Sequence, residues 1–150
     1  MSQEEKDYLT MIGIKEKQFD AMYRDAAKSF GLSDCSMWAL YYLCLSKEPL
    51  TQQDLIEKMM FPKQTINSAV MSLSNNGLVE LEMIPGTRNK KKIILTEKGM
   101  NAIDRYVRRM RDAEEKAVKE MGDRKMQKYT KLYDEFYTAM ERNFKNDGII

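Results

Sequence analysis

The chain has no histidine and only two cysteines, and these absences limit the chemistry that it can carry out. Histidine is the side chain that most often serves as a general base near neutral pH and that most often binds metal ions. Two cysteines alone cannot complete a four-ligand zinc site. The seven glycines are scattered and form no phosphate-binding loop. The composition therefore argues against an enzyme and against a bound metal or cofactor.

The chain also lacks a long apolar run and a strong charge of either sign. No apolar stretch approaches the ~20 residues that a membrane-spanning helix needs, and the first residues, MSQEEKDYL, are acidic and polar, unlike a signal peptide. We therefore expect a cytoplasmic protein with no membrane partner. At 150 residues, 43% of them hydrophobic, the chain fits one globular domain over residues 1–150. The formal net charge of +2 is too small for non-specific coating of nucleic acid. Any affinity for DNA must therefore come from where the positive charges lie.

The most strongly patterned segment is residues 51–96, which predicts two short helices followed by a two-stranded hairpin. Thr51 with Asp54 three residues later is a capping-box pattern at the start of the first helix. The second helix covers residues 63–76. Pro62 suits its first turn and Gly77 suits the position just past its end.

The second helix has two contrasting faces. Its apolar residues recur at helical spacing and predict a buried stripe: Ile66, Ala69, Val70 and Leu73. The other face is polar, with amides, hydroxyls and one lysine: Lys63, Gln64, Thr65, Asn67, Ser68 and Ser72. Amides and hydroxyls can hydrogen-bond base edges, whereas carboxylates would repel phosphate. A helix with such a face can lie in a DNA groove.

The hairpin consists of LVELEMI and KKIIL, which alternate as half-buried strands do, joined by the tip PGTRNKK. Arg88, Lys90, Lys91 and Lys92 make this tip cationic. Taken alone, the charges favour a solvated surface loop. Following a helix-turn-helix pair, they favour the basic wing of a winged helix.

The rest of the chain predicts helices. They cover residues 3–30, residues 33–46, and a segment that Thr96 caps and that runs to about Met121. After Gly122, a last helix is capped by Asp123. The fold class is therefore mainly α: a winged helix-turn-helix with a small antiparallel β-hairpin wing and long N- and C-terminal helices. The apolar stripes of the long helices need a cover, which is either a second copy of the chain or a monomeric helical bundle.

These elements resemble the MarR family of winged-helix transcriptional regulators. The residues that carry the resemblance are LTQQDLIEKMMFPKQTINSAVMSLSNNGLVE followed by PGTRNKKKIILTEKG. The family's wing commonly carries an Asp two residues before an Arg, whereas here Thr87 and Asn89 occupy those positions and Arg88 lies between them. The resemblance implies a homodimeric regulator, most often a repressor, that binds a pseudo-palindromic operator in double-stranded DNA. It implies a DNA-binding lobe at 32–96 and dimerisation helices at 1–30 and 97–147.

On this hypothesis, the helix at 63–76 enters the major groove with four polar residues nearest the bases: Gln64, Thr65, Asn67 and Ser68. Lys63 holds phosphate, and Thr51 and Gln52, at a helix N-terminus, do the same. Arg88 reaches into the minor groove with help from Lys90 and Lys91. Gln and Asn suit adenine edges and Thr suits the thymine methyl, so we expect an A·T-rich half-site.

Two kinds of regulation are considered. The family commonly responds to small phenolic or other aromatic ligands, and the candidate lining here is Met11, Met37, Trp38, Tyr41 and Met110. Methionines and aromatics at helical spacing are more often plain core, and we prefer that interpretation. A redox-responsive regulator would use Cys35, near a helix N-terminus where a thiolate is favoured, although a buried structural cysteine is the preferred reading. A winged helix used as a protein-interaction module is a further alternative.

Overall fold

In the computed structural model, which describes residues 2–150, seven helices and three short strands follow one another along the chain. In order they are α1 (Gln3–Ser29), α2 (Asp34–Leu45), β1 (Leu50–Thr51), α3 (Gln52–Met59), α4 (Lys63–Asn75), β2 (Val79–Met83), β3 (Lys91–Leu95), α5 (Glu97–Ala102), a π-helical segment (Ile103–Val107), α6 (Arg108–Met121) and α7 (Asp123–Asn146). The predicted fold class is confirmed: a mainly helical winged helix-turn-helix with a small antiparallel sheet.

Side chains at the helix starts explain where several helices begin. Ser33 accepts a hydrogen bond from the backbone N–H of Ser36, and Thr96 accepts one from Gly99. The predicted cap at Thr96 is thus confirmed. At the start of α7, Asp123 is the first helical residue and not the cap. Gly122 occupies the cap position with φ 77°, a conformation that suits glycine, and makes no side-chain hydrogen bond.

Pro62 also differs slightly from expectation, since it precedes the first turn of α4 in the cap position. The other predicted end of this helix is confirmed. Gly77 lies just past it at φ 68°, where its N–H bonds the carbonyl of Ser74 and the N–H of Leu78 bonds that of Leu73. This pair of bonds satisfies carbonyls that the helix end would leave open.

The core forms around α2, which is apolar on nearly all sides. Met37 and Leu40 are buried in α2, and they belong to one cluster with Leu55 of α3 and Ile66 of α4. Further members come from both ends of this part of the chain: Ala27, Ile93, Ile103 and Val107. This explains why the compact unit containing the winged helix extends from α1 through Met110, well beyond residues 32–96. Arg111–Ile150 form a second compact unit.

The sheet has the strand order β1-β3-β2, and both pairings are antiparallel. Strands β2 and β3 are the predicted hairpin. The third strand was not predicted, because two residues are too short to show an alternating pattern. Leu50 pairs with Ile93 and Thr51 with Lys92, so the start of α3 is fixed to the base of the hairpin. Within residues 2–150, no helix combines the length and apolarity that crossing a bilayer would require.

Candidate nucleic-acid interface

Helix α4 divides its residues between the core and solvent as the sequence predicted. Ile66, Ala69, Val70 and Leu73 are buried. The opposite face is exposed: Lys63, Gln64, Thr65, Ser68, Met71, Ser72 and Asn75. Asn67 is half-buried at the edge of this face. No Asp or Glu occurs anywhere in residues 58–79, so the exposed face presents hydrogen-bonding groups without carboxylates that would repel phosphate.

The C-terminal end of α4 is held by the start of α5. The Thr96 hydroxyl donates to the carbonyl of Gly77 at 2.6 Å, while the Lys98 ammonium donates to the carbonyl of Asn76 at 2.8 Å. Thr96 thus caps α5 and holds α4 with one side chain. Sequence reasoning found the cap but not the link, since residues 19 and 22 positions apart meet only in the folded chain.

Gly99 allows this close approach of α5 to the end of α4. The carbonyl oxygen of Leu78 occupies the space that a Cβ atom on Gly99 would need. The same carbonyl accepts the backbone N–H of Thr96 at 3.1 Å. The orientation of α4 therefore depends on a glycine, a threonine and a lysine at the start of the following helix.

The wing ends in a tight turn whose shape leaves its cationic residues outside. The carbonyl of Ile84 accepts both the backbone N–H of Thr87 at 3.2 Å and the Thr87 hydroxyl at 2.8 Å. Gly86 between them has φ 79°. Thr87 is thereby turned inward, and Arg88 and Lys90 are exposed.

The wing cations have no carboxylate partner within 4 Å in the part of the chain that the structure describes. Ion pairs in that part join residues three or four positions apart along helical stretches, as in Lys17–Asp20, Arg108–Asp104, Lys131–Glu135 and Lys145–Glu141. In the hairpin register, Lys91 pairs with Met83 and Lys92 with Glu82, so the two lysines lie on opposite faces of the sheet. Arg88 and Lys90 at the tip are the wing cations best placed for phosphate or a groove.

Thr51 and Gln52, both predicted phosphate contacts, differ in how free their side chains are. The Thr51 hydroxyl accepts the backbone N–H of Asp54 at 3.2 Å and donates to its carboxylate at 2.7 Å. Hydrogen bonds from the backbone and side chain of Thr51 lower the pKa of Asp54, so a carboxylate stands at the N-terminus of α3. The geometry therefore favours Gln52 over Thr51 as a phosphate contact.

The five residues predicted to line a ligand pocket lie in different environments. Met37 is buried in the core, Met110 packs against the core half-buried, and Met11 is 55% exposed on α1. The rings of Trp38 and Tyr41 are in contact, with centroids 5.3 Å apart.

Sequence reasoning missed two further rings that contact Trp38, namely Tyr23 at 4.9 Å and Tyr42 at 6.4 Å between centroids. Met11 precedes Tyr23 by 12 residues, or ~18 Å of helix, and so lies away from this aromatic cluster of Tyr23, Trp38, Tyr41 and Tyr42.

The Cys35 thiol does not have the environment of a reactive thiolate. It is 5% exposed, and its sulfur lies 3.8 Å from the carbonyl oxygen of Thr65. Burial, and secondly the negative charge of Asp34, raises the pKa of Cys35 to about 11. Burial opposes the charged form more strongly than the helix N-terminus favours it, so the preferred interpretation of Cys35 as a buried structural cysteine is confirmed. Neither Cys35 nor Cys44 forms a disulfide.

Comparison with known proteins agrees with this geometry. Residues 30–88 match the model of the MarR family. The fold is similar to that of a MarR-family regulator from Neisseria meningitidis, with a TM-score of 0.76, 21% identity and coverage of 98% of this chain and 99% of that one.

Two of the similar structures contain DNA. The S. aureus MepR–DNA complex matches with a TM-score of 0.72 at 14% identity, covering 89% of this chain and 97% of that one. A MarR-family regulator from Listeria monocytogenes complexed with a 26mer DNA matches with a TM-score of 0.71 at 19% identity, covering 93% and 89%. At such identities the likeness shows the fold. Searching the curated proteins gave no match.

Helix α3, helix α4 and the β2–β3 hairpin define a winged helix-turn-helix protein. The match to the MarR family model runs from the end of α1 through α2, α3, α4 and β2 to Arg88 at the wing tip, and the whole chain has the winged-helix fold of MarR-family regulators.

Proposed function

We propose that this protein is a MarR-family transcriptional regulator that binds a pseudo-palindromic operator as a homodimer and represses transcription by occupying that operator. The observation that carries the proposal is the exposed, acid-free polar face of α4 beside a wing whose tip cations have no ion-pair partner among the described residues. Major-groove edges require donors and acceptors, while phosphates require unpaired cations. The MepR and Listeria structures, which hold DNA, have the same fold.

In this proposal α4 lies in the major groove. Gln64, Thr65 and Ser68 are exposed toward the bases, and Asn67 reaches them from the edge of the face. Amides favour adenine and the threonine methyl group favours thymine, which predicts an A·T-rich half-site. Lys63 contacts phosphate at the first turn of α4.

The wing contacts the adjacent minor groove. Arg88 enters this groove, and Lys90 and Lys91 strengthen the attraction to a narrow A·T-rich stretch, where the negative potential is greatest. Gln52 contributes a phosphate contact at the start of α3, and Thr51 supports it by capping that helix. The contacts divide into base reading by α4 and positioning by the other elements.

Support for a homodimer comes from long apolar surfaces that the chain leaves exposed. On α1 these residues are Tyr8, Leu9, Met11, Ile14, Phe19 and Met22. On α7 they are Tyr129, Leu132, Tyr133, Tyr137, Met140 and Phe144. Exposed apolar surface of this extent is typical of protein interfaces. A two-fold dimer would present two α4 helices about one DNA turn apart, ~34–36 Å, as a palindrome requires.

A small aromatic effector is a further part of the proposal. The supporting observation is the aromatic cluster around Trp38, in which neighbouring rings tilt against one another and remain half-buried. Aromatic ligands stack or pack edge-on against such rings. Trp38 is the only tryptophan of the chain, so quenching of its fluorescence by phenolic compounds would report binding directly.

The experiment that tests DNA reading compares three variants on one operator duplex. Arg88→Ala should weaken binding about 100-fold or more and lower the salt dependence, because each dimer loses two charged contacts. Asn67→Ala should mainly relax base preference, by about tenfold per half-site. Arg142→Ala, on the polar side of α7, is the matched control and should bind like the wild type. Equal affinity of wild type and Arg88→Ala would contradict the role of the wing.

A further inference from the structure

Met71 is the one apolar side chain on the exposed face of α4, and no packing against the core of residues 2–150 explains its position. It is 49% exposed and is absent from the residues that form or pack against the core. Its neighbours one turn away on the exposed face are Ser68 and Asn75, and Ser72 follows it directly. A flexible thioether thus projects beyond short hydroxyl and amide side chains.

The groove that α4 enters limits what such a side chain can contact favourably. Methionine sulfur is only a weak hydrogen-bond acceptor. Placed against the purine N7 or an exocyclic amino or carbonyl group, it would leave that polar group without a partner, which is costly. The C5-methyl group of thymine is the apolar feature of the major groove. An unbranched thioether can adapt its shape to that methyl group.

We propose that Met71 is a specificity-determining residue that packs on the C5-methyl group of one thymine in each half-site. This inference rests on the proposed binding of α4 in the major groove. It adds a second apolar contact to that of Thr65. Six residues, or ~9 Å of helix rise, separate the two positions. The two side chains therefore read different base pairs.

The test replaces each thymine of the operator in turn by deoxyuridine, which lacks only the C5-methyl group. The operator is first obtained by selecting binding duplexes from a random pool with the full-length protein. Affinity for each substituted duplex is then measured for wild type, Met71→Leu and Met71→Gln. Leucine keeps an apolar contact, whereas glutamine keeps the length and loses the apolarity. Thr65→Ser, which removes only a methyl group, serves as the control for the other contact.

At one thymine position, we expect deoxyuridine to weaken wild-type binding about 4-fold per half-site and about 15-fold when both half-sites are changed, as loss of one buried methyl group implies. Met71→Leu and Thr65→Ser should still bind the duplex with deoxyuridine at this position more weakly than the duplex with thymine. Met71→Gln should bind the two duplexes with equal affinity. The role of Met71 would be overturned if no deoxyuridine substitution changed the affinity of the wild type, or if Met71→Gln lost as much affinity as the wild type. Selective DNA binding would stand in either case. If the pool yields no preferred duplex, the proposed function fails and the role of Met71 fails with it.

Discussion

Gly99→Ala should destabilise the fold although it removes a helix-destabilising glycine. The distance from a Cβ atom at this position to the carbonyl oxygen of Leu78 would be about 1 Å less than the shortest distance that real Cβ atoms show. The Cβ atom would also lie 3.2 Å from the Cδ2 atom of Leu95. Relieving the clash moves α5 away from Leu78 by a similar amount. The hydrogen bond from Thr96 to Leu78, now 3.1 Å, would lengthen to about 4 Å and be lost.

The expected cost follows from these changes. Overpacking costs about 1–3 kcal/mol and the lost hydrogen bond about 1 kcal/mol, against a gain of about 1 kcal/mol from replacing glycine by alanine in a helix. The net loss of unfolding free energy is therefore about 1–3 kcal/mol. Because α5 also holds the end of α4, operator affinity should fall as well.

The matched control is Gly13→Ala in α1, where a Cβ atom meets nothing within 4 Å. This variant should gain about 1 kcal/mol. Urea unfolding followed by circular dichroism, at one protein concentration for all variants, measures both changes. If Gly99→Ala were as stable as Gly13→Ala, the close approach of α5 to Leu78 would not be a constraint on the fold.

Three further predictions concern other parts of the chain. The raised pKa of Cys35 predicts that, in a Cys44→Ser background, iodoacetamide alkylates the folded protein at pH 8 much more slowly than the urea-unfolded chain; comparable rates would contradict its burial. The lowered pKa of Asp54 means that its carboxylate stabilises the fold above pH about 4 and that this contribution is lost as the pH falls through the folded-state pKa. Asp54→Asn should thus be less stable than wild type at pH 7, with a difference that shrinks as the pH falls below about 4, and a constant difference in thermal unfolding would count against the capping role. Tyr137→Asp should dissociate the dimer in sedimentation, while Thr138→Asp, on the other side of the same helix, should not; a Tyr137→Asp dimer would place the interface elsewhere.

Several elements could be predicted from the sequence because their signals are local. The cap at Thr96 and the left-handed Gly77 involve residues within five positions of each other. The burial pattern of α4 could likewise be predicted, because its apolar residues recur at helical spacing and lie on the one face that packs against the core. The two-residue strand β1 could not be predicted, since only its pairing with β3 makes it a strand.

The sequence indicates which residue types the candidate site contains, but it does not show the contacts that surround each side chain. Cys35 was correctly predicted to lie near a helix N-terminus and to be buried, but its contact with the Thr65 carbonyl of α4 could not be predicted from the sequence. Thr51 was recognised as a cap, yet the commitment of its hydroxyl to Asp54 shows only in the hydrogen-bond geometry. The hydrogen bond from Lys98 to Asn76 joins the start of α5 to the end of α4, and the whole wing lies between these two residues in the sequence. Such contacts are tertiary and leave no short-range pattern.

The central claim is that α4 and the wing form a sequence-selective DNA reader. The most direct test is fluorescence anisotropy of the purified protein on duplex DNA from upstream of its own gene, titrated against salt, with a scrambled duplex of equal length as control. We predict tight binding to the upstream duplex, at least 1000-fold weaker binding to the scrambled one, and a steep fall in affinity with salt, because several phosphates are contacted. Weak binding that is equal on both duplexes, and unchanged by Arg88→Ala, would contradict the account and favour a winged helix that binds protein.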